Sequence, residues 1–190
     1  LFRHFSGTLH GFNVLYFGKI YYVGINTPWH YALGYFFAVT PFLMLIFVFI
    51  GLIKLITNTI FLKNRYSALV LAWFFVPTLK YLHPNIGVFD DIRHFLEAVF
   101  PLCIMAGVGA TIALSFILKI IKTGRAIKKI IFPIFYLLLI LYLLLQILPI
   151  HPYETAYFSE IVGGGKDAQG KFDLEFWGNA LKEGSLYLNK

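Results

Sequence analysis

From Ile130 to Ile150 the chain reads IIFPIFYLLLILYLLLQILPI, with no charged side chain in the run. About 20 apolar residues in a helix cover the roughly 30 Å hydrocarbon layer of a bilayer. Three further runs have the same character: about Trp29 to Ile53, which contains Pro41; about Ser67 to Leu82, short and containing Pro77; and about Phe95 to Ile121. The last is rich in small residues (AGVGATIALS), which suits close helix packing in lipid. Composition agrees: 59% of residues are hydrophobic and 13% charged, with a mean hydropathy of +0.75. Soluble domains hold about 45–50% apolar and about 25% charged residues. The expected fold is all-α: a polytopic membrane helix bundle of about four transmembrane helices across 29–150. An outward-facing segment, 1–28, precedes it, and a short extramembrane tail, 151–190, follows as the start of a soluble domain.

The net charge of +7 is unevenly placed. Lys54, Lys63 and Arg65 lie between the first and second runs; Lys119 at the end of the third run and Lys122, Arg125, Lys128 and Lys129 lead into the fourth. All nine acidic residues lie elsewhere. Short loops rich in Lys and Arg stay in the cytoplasm. The expectation is therefore a multi-pass protein with 1–28, the loop near 83–94 and the tail from His151 all on the non-cytoplasmic side. The basic balance is topological, so nucleic acid is not an expected partner and the lipid bilayer is. The spans carry almost no ionisable groups, which argues against a transporter. The chain opens on Leu1 without a signal-peptide pattern and reads as the later part of a longer protein. The single Cys103 excludes an intrachain disulfide.

Three outward stretches hold the candidate site residues. Tyr22, Trp29 and His30 sit where the chain approaches the bilayer. They fit either an interfacial aromatic belt or a platform on which sugar rings stack. In the second stretch, Asp90 or Asp91 is placed to cap the third span and to pair with Arg93. Arg93 at a helix N-terminus gains nothing from the dipole, whereas an anion shared between them gains from both. A donor phosphate held by Arg93, with Lys80 as a second cation, fits that description. His83, Asp90, Asp91 and His94 also admit a divalent ion, although no recognised ligand signature is present; no cofactor is firmly expected. In the tail, His151 and Glu154 share a face if helical, with Tyr153 and Tyr157 beside them. His151-Pro152 is expected to end the fourth helix, with HPYETAYFSE as a short amphipathic segment and FDLEFWGNALKEGSLYL as the start of a surface helix.

The tail HPYETAYFSEIVGGGKDAQGKFDLEFWGNALKEGSLYL resembles the stretch that follows the last membrane helix in many protein O-mannosyltransferase-like enzymes. These belong to the GT-C class of membrane glycosyltransferases. DDIRHFLEAVFPL resembles that family's segment around an Asp-x-Arg-Tyr motif, with His94 in the Tyr position. INTPWHYALGYFFAVTP resembles its PWYY…KTP segment, with Val39 replacing the basic residue. The resemblance implies transfer of a sugar from a polyprenyl-phosphate-linked donor to an acceptor on the outer face. It places the catalytic acid in an earlier outward loop, so no catalytic residue is nominated here, and a missing N-terminal half or partner subunit is expected. The alternative is a non-catalytic scaffold or assembly subunit on the same fold.

Overall fold

Two residues, Phe17 and Gly18, both with positive φ (49° and 75°), turn the chain back on itself. A two-residue turn of this hand matches the twist of antiparallel strands. β1 (Asn13–Tyr16) and β2 (Lys19–Tyr22) accordingly pair with Val14 opposite Tyr21 and Leu15 opposite Ile20. The computed structural model describes residues 12–83, 88, 92–174, 178 and 181–188. They fall into two units. An aromatic unit comprises Leu1–Val39, Tyr81–His94 and Ile147–Lys190; a helical unit comprises Thr40–Lys80 and Phe95–Gln146.

In the aromatic unit, the hairpin leads through a turn to α1 (Tyr31–Val39). The tail folds back onto both. It runs through 3-10 turns at Glu154–Ala156 and Glu160–Val162 and a single turn, α6 (Gly164–Ala168). α7 (Leu181–Leu188) lies further on. The core is made of Val14, Tyr16, Tyr31, Tyr35, Phe158 and Phe172, none more than 4% exposed. Sequence reading expected an all-α chain, and the hairpin corrects it. The signal was present in NVLY-FG-KIYY, two short β-prone runs around a Gly-containing pair.

In the helical unit, α2 (Phe42–Leu62), α3 (Arg65–Lys80), α4 (Val99–Ile120) and α5 (Arg125–Ile147) follow one another. α2 and α4 pack backbone to backbone. A Cβ on Gly109 would stand 1.8 Å from the Phe47 carbonyl oxygen, and one on Gly51 would stand 1.9 Å from that of Met105. This is the close approach that the small-residue run predicted. α3 joins through buried Phe74 and Thr78, and through Trp73 stacked on Phe100 with centroids 6.2 Å apart. α5 buries no residue; Phe135 meets Phe47 edge-on, and the Tyr136 and Thr111 hydroxyls lie 2.6 Å apart.

Among the described residues three helices are long and apolar enough to cross a membrane: Phe42–Leu62, Arg93–Ile120 and Arg125–Ile150. The chain therefore has the character of a membrane protein. Two boundaries differ from expectation. The first apolar run, read as one span from about Trp29 through Pro41 to Ile53, is two helices. Proline lacks an N–H and pushes its predecessor out of helical geometry, so α1 stops before Thr40 and Pro41 becomes the N-cap of α2 (ψ 141°). The membrane-length helix therefore starts at Phe42 and takes in Lys54, Thr57 and Thr59, whose two hydroxyls donate to carbonyls one turn back. At the third run, Ala98 rather than an aspartate occupies the N-cap of α4, and no side chain caps it.

Candidate functional site

Tyr16 is the hub of the aromatic unit. Strand alternation turns it inward beside Val14, and α1 comes close enough that a Cβ on Gly34 would strike its hydroxyl at 1.8 Å. Its ring stacks on Tyr35 at 5.8 Å and meets Phe172 edge-on at 5.9 Å. The hydroxyl lies 2.9 Å from His30 Nδ1 and 3.3 Å from the His30 carbonyl oxygen, so the imidazole is held from behind. Burial pushes the Tyr16 phenol up to about 12, with Tyr21 adding to the effect. The residue therefore stays a neutral hydrogen-bonding group across physiological pH. Beside it, the indole of Trp29 stands edge-on to the His30 ring at 5.4 Å and is largely exposed, as is Tyr22. The Tyr22 carbonyl anchors the following turn by accepting from Ile25 and Asn26 N–H.

The tail is fastened to this hub along its length. Ser159, fully buried, donates its N–H to the Ala38 carbonyl (2.7 Å) and its hydroxyl to that of Phe37 (3.3 Å). Gly18 N–H donates to the Lys171 carbonyl (2.9 Å), and Leu15 N–H to Asp173 Oδ2 (2.8 Å). Phe172 inserts between these bonds, contacting Tyr16, Phe17, Tyr35 and Phe158. Phe17 holds a left-handed backbone that an ordinary side chain avoids; its ring contacts with Tyr16 (4.8 Å) and Phe172 (4.9 Å) compensate.

Among the tail candidates, His151 and Glu154 do come together: Nδ1 lies 2.5 Å from Oε1, at i and i+3 around a 3-10 turn. That side-chain hydrogen bond, with help from the backbone, holds the exposed Glu154 carboxyl below its usual value. Tyr153 and Tyr157 are half-buried. Leu181 and Leu186 of α7 are exposed, covered by no described residue; Phe176 and Trp177 lie outside the described residues.

In the middle stretch, Arg93 and His94 open a 3-10 turn, Arg93–Ala98, whose backbone breaks at Phe95 (φ −130°, ψ 27°) before α4 begins. Arg93 is thus offset from the first turn of α4 where sequence reading put it. Both residues are half-buried, and the Tyr81 hydroxyl donates to the His94 carbonyl (2.5 Å), closing the base of the loop. His83 is exposed. Lys80 closes α3, exposed, within the helical unit. Asp90 and Asp91 lie outside the described residues, so their pairing with Arg93 does too. Among the described residues no three His, Cys, Asp or Glu side chains form a metal cluster. Sequence reasoning passed over Tyr16, Phe172 and Asp173, and did not see that Ser159 would bond to α1. Their partners lie more than a hundred residues away in most cases, and only the β-prone hairpin pattern hinted at a structured hub.

No protein-family model, curated protein or solved structure matches this chain.

Proposed function

We propose that this chain is the later membrane portion of a GT-C glycosyltransferase that moves a sugar from a polyprenyl-phosphate-linked donor to an acceptor on the non-cytoplasmic face. The observation that carries the reading joins sequence to fold. The stretches resembling the O-mannosyltransferase-like family, INTPWHYALGYFFAVTP, DDIRHFLEAVFPL and the HPYE tail, are far apart in the chain. Yet the first and the last lie largely in the aromatic unit, which also takes in the start of the second, up to His94. The HPYE stretch is built in rather than appended: His151 pairs with Glu154, and Ser159 bonds to α1.

The same bonds support four crossings. Ala38 and Ser159 are hydrogen-bonded to each other and so share one side of the bilayer. An even number of crossings must separate them. Three of the four intervening helices cross by length and composition, so α3 makes the fourth. Its 16 residues span ~24 Å at the α-helical rise, against a hydrocarbon layer of about 30 Å that thins to meet short helices at modest cost. The connections holding Lys63 and Lys122, with Arg65 and Arg125 just beyond them, then face the cytoplasm, and the aromatic unit faces out.

Arg93 is the proposed ligand of the donor phosphate. The test is photo-crosslinking of the protein in its native membrane with a photoreactive polyprenyl-phosphate. Wild type should crosslink and be competed by unlabelled polyprenyl-phosphate. Arg93→Ala should weaken labelling about ten- to a hundredfold, as expected for loss of a charge-assisted hydrogen bond of about 1.5–3 kcal/mol. Equal labelling of the variant would remove Arg93 from the donor site; absence of competable labelling in wild type would remove the donor class.

A further inference from the structure

Apart from Asn13 and Lys19 the hairpin is apolar on both faces, and among the described residues only one face is buried. Val14, Tyr16 and Tyr21 point into the aromatic core; register places Leu15 and Ile20 on the opposite face, with Tyr22. An antiparallel sheet with one buried face ordinarily shows polar side chains on the other. Here Ile20 and Tyr22, followed by Ile25 in the next turn and Trp29 just before α1, are each at least 52% exposed. Leu15 N–H to Asp173 and Gly18 N–H to the Lys171 carbonyl tie the hairpin to the tail.

We propose that Ile20, Tyr22, Ile25 and Trp29 seat in the interfacial layer of the bilayer, between headgroups and acyl chains. Chain continuity favours lipid over another protein. Trp29 is followed by α1 and then, beyond Pro41, by the membrane-length α2 from Phe42, so the patch is tethered within a short reach of the bilayer. Its chemistry fits the same layer. Trp and Tyr collect there because an apolar ring and a polar N–H or O–H are satisfied together, and the two isoleucines add apolar contact. The hairpin then acts as a foot that fixes the aromatic unit against the membrane surface.

The proposal is independent of any sugar chemistry and is tested by depth-dependent quenching. The chain has three tryptophans. With Trp73→Phe and Trp177→Phe, the remaining Trp29 is read in phosphatidylcholine vesicles carrying lipids brominated at shallow or deep acyl positions, and with aqueous acrylamide. The expected result is stronger quenching by shallow than by deep bromolipid, with acrylamide quenching weak. Adding Ile20→Ser and Ile25→Ser should raise acrylamide access at least twofold. Strong acrylamide quenching with no bromolipid effect would place the patch in water and overturn the proposal. Protection from both quenchers would mean protein covers it, a second copy included, and would overturn it equally. Should the tryptophan replacements unfold the chain, Ile25→Cys with Cys103→Ser, labelled with an environment-sensitive dye, gives the same reading.

Discussion

Tyr16 links strand, helix and tail through one side chain, so its replacement is informative. Tyr16→Phe keeps the ring contacts to Tyr35 and Phe172 and removes only the hydroxyl that holds His30. The lost hydrogen bond should lower stability by about 0.5–1.5 kcal/mol near neutral pH. The alkaline side gives a sharper signature. Burial favours the neutral phenol, raising it from 10.0 to about 12, so the unfolded chain loses that proton first. The stabilisation is fully present below pH 10 and is lost as pH climbs through 12. Spectrophotometric titration at the phenolate band should show one fewer late-ionising tyrosine in Tyr16→Phe than in wild type, and a flatter alkaline stability curve for the variant. Identical titrations would show that Tyr16 is not the buried hub. At this scale the sequence was legible where partners are close along the chain: His151 and Glu154 pair as their spacing implied. Tyr16 with Phe172, and Leu15 with Asp173, were not legible, because such pairings depend on how the tail returns to the hairpin.

Helix contacts give the test at the level of elements. Gly109 faces α2 so closely that any Cβ meets the Phe47 carbonyl, whereas a Cβ on Gly107, two residues earlier and so on the opposite side of the helix, meets nothing within 4 Å. Gly109→Ala should therefore separate α2 from α4 and cost about 1–3 kcal/mol, the usual range for overpacking. Gly107→Ala should be neutral or slightly stabilising through helix propensity, worth up to ~1 kcal/mol. Thermal unfolding in detergent compares the two; equal effects would mean that the small-residue run reflects composition and not contact. Apolar length and small-residue spacing were readable in the sequence because both follow from local rules. The start of α2 was not, since hydropathy runs without a break across Thr40 and Pro41. Only the backbone geometry that proline imposes divides that run in two. α5 was the plainest run of all, and it buries no residue within the described chain. Its apolarity answers to lipid or to a neighbour, and hydropathy alone does not tell these apart.

For the whole molecule, the proposed four crossings rest on parity between a few backbone bonds and the helices that separate them. The Ser159–Ala38 bond, with those of Asp173 and Lys171 to the hairpin, requires residues 12–39 and 151–174 to lie on one side. In the proposed orientation the positive-inside rule keeps Lys63, Lys122 and their basic neighbours in the cytoplasm. With Cys103→Ser as background, single cysteines at Lys19, His83 and Lys166 should react with an impermeant maleimide in intact cells. Cysteines at Asn64 and Lys122 should react only after the membrane is opened. All three outer positions are exposed, so failure to label there would not come from burial. The pair flanking α3 is decisive. If Asn64 and His83 label from the same side, the short helix with Pro77 does not cross; the parity argument then fails, and with it the placement of Arg93 opposite the basic loops. If every site labels in the reverse pattern, four crossings survive and the aromatic unit faces the cytoplasm. A donor presented on the outer face would then be out of reach.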